Sequence, residues 1–171
     1  MKLLFKLLLI ILLFLSIVQI TKAEQILKYA NMDQVIKETK IGNEMIIKIN
    51  ELDQENIKKL SSYEKELKSI ENEIKLKKNI ISEQEFEKEI NDLKRKISDF
   101  NKEKNLMVKN FNNIKKKELK ILFDRINPIV QNYMDKNSID IIFNSKNIYI
   151  GNKKSDLTKV LIEEINNNVK E

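Results

Sequence analysis

The side chains of this 171-residue chain that could do chemistry are carboxylates and lysines, and their spacing builds no catalytic set. There is no histidine and no cysteine. That removes thiol nucleophiles, histidine general bases, disulfides and the usual zinc ligands in one step. The serines and threonines lack a histidine or an evident activating lysine. The acids are scattered along amphipathic stretches, where no pocket would raise a pKa for acid catalysis. With only two glycines there is no phosphate-cradling loop. Asp33 and Asp156 stand where helices should begin and read as caps. An enzyme is therefore not expected, and neither is a cofactor or a metal.

The lysines carry more information. Residues 94–125 hold eleven basic and four acidic residues, a balance of +7, whereas residues 83–92 hold five acids and one base. Lys115, Lys116 and Lys117 form the densest cluster and are candidates for contact with anionic groups such as lipid head groups. A solvated helix face in a lysine-rich chain would look the same. The full-length charge of +6 includes Lys2, Lys6 and Lys22, so the rest of the chain carries only +3. That is too little for a nucleic-acid partner, which is not expected.

Positioning these charges falls to two mirrored apolar stripes. The first is Ile46, Ile49, Leu60, Tyr63, Leu67, Ile70 and Ile74; the second is Phe86, Ile90, Leu93, Ile97, Phe100, Met107, Phe111 and Ile114. Both step by three and four residues, as a coiled-coil seam does. Folding the chain back near residue 80 pairs Ile74 with Phe86, Ile70 with Ile90, Leu67 with Leu93, Tyr63 with Ile97 and Leu60 with Phe100. It also pairs Ile49 with Phe111 and Ile46 with Ile114, each pair of numbers summing to 160. The spacing predicts a long antiparallel hairpin, with helices over about 43–78 and from 82 to about 136. Ser82 with Glu85 forms a capping box at the second start, and acids follow in the first turns. Pro128 should kink the second helix, and Gly42 should kink or break the first. In this register Asn56 faces Lys104 and Asp53 faces Met107, a polar layer where the hairpin could flex.

The flanks predict a small base. Residues 25–31 read as a short strand, then a helix capped by Asn31 or Asp33. Residues 138–143 and 147–150 read as a β-hairpin, then a last helix capped by Asp156 or Thr158. Ile26, Tyr29, Ile139, Ile141, Phe143, Ile148 and Ile150 are the candidate body residues. Such a base buries little surface and leaves strand edges open, so association through it is expected. The fold class is α+β, with an arm over 43–121 projecting from a β-containing body over 24–42 and 122–171. Residues 1–23 read as a cleaved signal peptide, with Lys2 and Lys6 before an apolar run from Leu7 to Ile20 and Thr21-Lys22-Ala23 at the cleavage site. The alternative is an uncleaved anchor, but the run is short of the roughly 20 apolar residues that span a bilayer.

The order of elements, with YANMDQVIKETKIGNEM after the first strand, INPIVQNYMDKNSIDIIF and NIYIG after the arm, and SDLTKVLIEEIN near the end, resembles the Skp (OmpH-like) periplasmic chaperones. The likeness rests on Asn31 to Ile36 and on Asp156-Leu157-Thr158. The chain departs from it at residues 137–140, where a glycine and an aromatic are common, and at Asn144, where an aspartate is. The resemblance implies a homotrimer whose three arms enclose a cavity in a jellyfish-like shape. It implies a periplasmic, ATP-independent holdase for unfolded outer-membrane β-barrel proteins; weak contact with anionic lipid is suggested only by the lysine cluster itself. The resemblance carries over no client-contacting residues; Lys115, Lys116 and Lys117 are candidate contacts for the client or for an anion by their charge alone. The competing reading is a structural coiled-coil envelope protein without chaperone activity.

Overall fold

The structure, a computed structural model, describes residues 25–169, so the signal peptide expected over 1–23 lies outside the described residues. In chain order the elements are β1 (Leu27–Ala30), α1 (Met32–Glu38), α2 (Lys40–Lys77), α3 (Glu83–Lys136), β2 (Ile141–Asn144) and α4 (Thr158–Asn168). Two short 3-10 turns, Ser145–Asn147 and Lys153–Ser155, fill the stretch between β2 and α4. The chain is mostly helical with one small pair of parallel strands. No helix among the described residues is long and apolar enough to cross a membrane.

The helical hairpin forms, because its start and its seam agree. The Ser82 hydroxyl accepts from the Glu85 N–H at 3.3 Å, and the Glu85 carboxylate accepts from the Ser82 N–H at 3.2 Å. This reciprocal pair meets two of the donors that a helix start leaves open. α2 has 38 residues and α3 has 54, so the shorter helix alone extends roughly 57 Å at 1.5 Å per residue. α3 continues through Pro128.

The register differs from the one that summing to 160 predicts. Tyr63 packs edge-on against Phe100, with centroids 5.2 Å apart and planes at 76°. Ile97, its expected partner, is 41% exposed. The reason is geometric. Each Cβ leans toward its own helix N-terminus, so a side chain covers the backbone about one position before it. In an antiparallel pair both lean toward lower numbers. Contacts therefore join residues whose numbers sum to more than the backbone midpoint implies. Asn56 and Met107 are half-buried, and Lys104 is exposed.

The break near Gly42 moves to Thr39, the extended residue between α1 and α2 (φ −78°, ψ 145°). Gly42 has another purpose. A Cβ there would fall 1.9 Å from the Ile36 carbonyl oxygen, so only glycine lets the two helices approach this closely. The long helix accordingly starts at Lys40. Its first N–H finds no cap from Thr39 and donates to the Asn166 side chain of α4, at 2.8 Å.

The β-hairpin expected over 138–150 does not form. β2 instead pairs in parallel with β1, with Leu27 opposite Ile141, Tyr29 opposite Phe143 and Ala30 opposite Asn144. Asn144 then accepts from the Lys146 N–H, which folds the chain into a 3-10 turn. Residues 148–150 leave that turn with no strand to pair with, and Tyr149 is fully exposed. The other edge of β1 is used by the stretch before α4, where the Leu157 N–H donates to the Tyr29 carbonyl at 2.8 Å.

Two cores result. At the base, Ala30, Val35, Leu122, Ile126, Ile139, Leu157, Leu161 and Ile165 are buried together. In the outer arm, Leu67, Ile74, Leu93 and Phe100 form a second cluster, flanked by Leu60, Tyr63, Ile70, Phe86 and Ile90. Each such side chain is worth about 1.5–3 kcal/mol when fully buried. Residues 46–59 and 101–121 contribute no buried side chain to either cluster.

Candidate functional site

Two surfaces of the molecule could engage a partner: one face of the small sheet, and the length of the arm. The sheet alternates by parity, as a pleated strand must. Ala30 is fully buried and Ile142 packs on the base core. On the opposite face stand Leu27, Ile141 and Phe143, each between 42% and 45% exposed. Tyr29 shares that face, covered by the chain at Gly151, where a Cβ would stand 2.7 Å from the tyrosine ring. Its hydroxyl donates to the Asn152 carbonyl at 3.3 Å. Tyr149 and Ile150 project beside it, Ile150 at 84% exposure. Of the body residues named from sequence, Ile139 is core and Ile26 and Ile148 are half-buried, while Ile141, Phe143 and Ile150 are open to solvent.

The base is held by a polar relay between its two chain ends. Asp156 accepts from the Thr158 N–H at 2.9 Å and from its hydroxyl at 2.5 Å. The Thr158 hydroxyl oxygen accepts from the Asn31 N–H at 2.9 Å. Asn31 in turn caps α1 by accepting from the Gln34 N–H at 3.1 Å. Asp33 caps nothing; it pairs with Lys146 of the 3-10 turn. Asn31 thus serves as the cap its position predicted, whereas α4 starts from Leu157 with no side-chain cap and Asp156, one residue earlier, holds Thr158 instead.

The arm has two unlike edges. Four inter-helix ion pairs, Lys48–Glu118 (2.6 Å), Lys59–Glu103 (2.8 Å), Glu66–Lys96 (3.7 Å) and Lys77–Glu89 (2.8 Å), lie along one side of the seam. Their spacing puts Glu89, Lys96, Glu103 and Glu118 on one line of α3. The Lys77 ammonium is held above its ordinary value by its hydrogen bond to Glu89 and by that carboxylate's charge. Such exposed pairs contribute little stability, about 0–1 kcal/mol each, but they mark which edge is closed. One residue further round, about 100° on, Ile97, Lys104, Val108 and Lys115 form a parallel line. The buried Leu93 and Phe100 lie between the two lines.

By helical spacing Ile57 of α2 falls on the side of the seam away from Lys48, Lys59 and Lys77, and it is 51% exposed, as is Val108. Lys104 and Lys115 are exposed and make no ion pair among the described residues; the same holds for Lys116 and Lys117. Sequence reasoning placed Ile97 in the seam and passed over Ile57 and Val108, although each stands three residues before a seam residue, Leu60 and Phe111. The signal that could have found them is the acid-free run of α3 between Glu103 and Glu118.

The family described as Outer membrane protein (OmpH-like) matches residues 27–165. Among solved structures, a Caulobacter crescentus protein described as an OmpH-like outer membrane chaperone superimposes with a TM-score of 0.74. The two are 14% identical, and the match covers 86% of this chain and 88% of that one. At that identity the likeness speaks for the fold. No curated protein matches the chain.

Proposed function

This chain belongs to the OmpH-like outer membrane protein family, and on that premise we propose that it is a periplasmic, ATP-independent holdase. Its clients are unfolded outer-membrane β-barrel proteins, which it keeps soluble in transit. The observation that carries this reading is the combination of a long, sparsely packed arm with a base whose sheet presents an open apolar face. Leu27, Ile141 and Phe143 on that face, with Tyr149 and Ile150 beside it, supply the surface through which copies associate as a homotrimer. The division into an arm over 43–121 and a body from both chain ends follows the two separate cores. A cleaved leader over 1–23 delivers the chain to the periplasm. Weak attraction to anionic lipid comes from Lys115, Lys116 and Lys117. Holding without a nucleotide calls for many weak contacts that release unaided, and a mobile rod can offer these without imposing a fold.

The test is the solution mass of the protein with and without a denatured outer-membrane β-barrel protein diluted from urea. A trimer that gains one client and keeps it from precipitating supports the holdase. A protein that leaves the client to aggregate is a structural envelope component instead.

A further inference from the structure

We propose that the edge of the arm without ion pairs, formed by Ile57, Ile97, Lys104, Val108 and Lys115, is where the client is held. The segment it takes is an extended polypeptide that carries aliphatic and acidic side chains together. This rests on the holdase reading and says which part of the arm performs it.

Three observations converge on this edge. The first is an asymmetry that the seam alone does not require. One edge is closed by four inter-helix ion pairs, while the other leaves Ile57, Ile97 and Val108 between 41% and 51% exposed. The second is charge. No acid occurs on α3 between Glu103 and Glu118, and Lys104 and Lys115 have no ion-pair partner among the described residues. A bound segment with acidic side chains would complement them.

The third is spacing. The order along α3 is aliphatic, cation, aliphatic, cation at residues 97, 104, 108 and 115, a run of roughly 27 Å at 1.5 Å per residue. An extended strand covers that distance in about eight residues at 3.3 Å each. A membrane-spanning β-strand has about 9–11 residues with alternating character. One such unfolded strand therefore matches the length of the edge. Each contact is weak and half-exposed, so the hold is reversible. From Lys104 to Lys115 this edge lies between the two cores, where the helix pair can yield to segments of different shape.

A photo-crosslinking residue placed at Val108, and separately at Glu66 on the closed edge, tests this with an acidic outer-membrane β-barrel protein diluted from urea. Crosslinks to the client should come from Val108 and be sparse from Glu66. The variant carrying Ile57→Asn, Ile97→Asn and Val108→Asn should bind the client about tenfold more weakly, through loss of partly buried aliphatic contacts. Its circular dichroism reports whether the hairpin is intact, and the crosslinks stand on the unsubstituted edge if it is not. Equal crosslinking from both positions, with the wild type holding its client, overturns the proposal and leaves the holdase standing. Crosslinks from Val108 only to a second copy of this chain overturn it in favour of an arm–arm contact. Protection of the edge by phosphatidylglycerol vesicles but not by client overturns it in favour of a lipid surface. A wild type that cannot keep the client soluble removes the holdase reading as well.

Discussion

The outer half of the arm and its middle are built from the same two helices, yet they are packed differently. Between Leu60 and Phe100 the seam buries Leu67, Ile74, Leu93 and Phe100. Between 46 and 59, and between 101 and 121, nothing is buried. The middle has seam residues too, among them Ile49, Met107, Phe111 and Ile114, and each remains half-exposed. Asp53 and Asn56 explain part of this. A polar side chain in the seam must keep water or lose its hydrogen bonds, so the layer cannot close. A continuous heptad pattern therefore does not ensure continuous burial. The middle lies between a root tied to the base and a tip with its own core, and a bend in the arm is expected there.

The largest effect should come from the base that anchors both regions. Ile126→Ala, at a side chain 1% exposed, should cost about 4 kcal/mol in urea unfolding. A loss below about 1 kcal/mol would mean that the base core collapses onto the gap. In the outer arm, Phe100→Ala removes the ring that meets Tyr63 and should cost about 3 kcal/mol. The matching substitution in the middle, Met107→Ala, should cost about 1 kcal/mol or less, since a half-exposed side chain leaves a smaller cavity. Equal losses at Phe100 and Met107 would erase the contrast.

Amide hydrogen exchange sharpens the same comparison without substitution. The amides of 53–56 and 104–107 should open faster than those of 63–74. Asp53→Leu should slow that opening by removing the polar group from the seam. Protection in the middle equal to that of the outer arm would refute a bend there.

The smallest effect concerns the tip. The Glu85 carboxyl is held below its ordinary value by its hydrogen bonds with the Ser82 side chain and then with the Ser82 backbone. A depressed folded value means the cap is fully formed above the unfolded carboxylate value of about 4.3 and is lost as pH falls through the lower folded one. Lys77 has the opposite sign. Raised by Glu89, it contributes fully below about pH 10.4 and is lost as pH rises through the folded value. Acidification toward pH 3 should therefore speed exchange at residues 83–86 and leave the Phe100 layer unchanged. A tip indifferent to acid would show that the capping box adds nothing.

The hairpin, its turn, the Ser82–Glu85 cap, the Asn31 cap and the helical end of the chain could be read in the residues themselves. All of these depend on neighbours three or four positions apart, and such spacing is visible in one dimension. The pairing of β1 with β2 depends on residues more than a hundred positions apart, such as the Ile26 N–H and the Asp140 carboxylate. The segment 147–150 has strand-forming residues, yet β2 pairs with β1 instead, a choice between competing partners that no local pattern records. The register of the arm, the closeness required at Gly42 and the capping of α2 by Asn166 belong to the same class. They were decided only when the helices met, because side-chain lean, backbone approach and a borrowed cap are properties of two surfaces in contact.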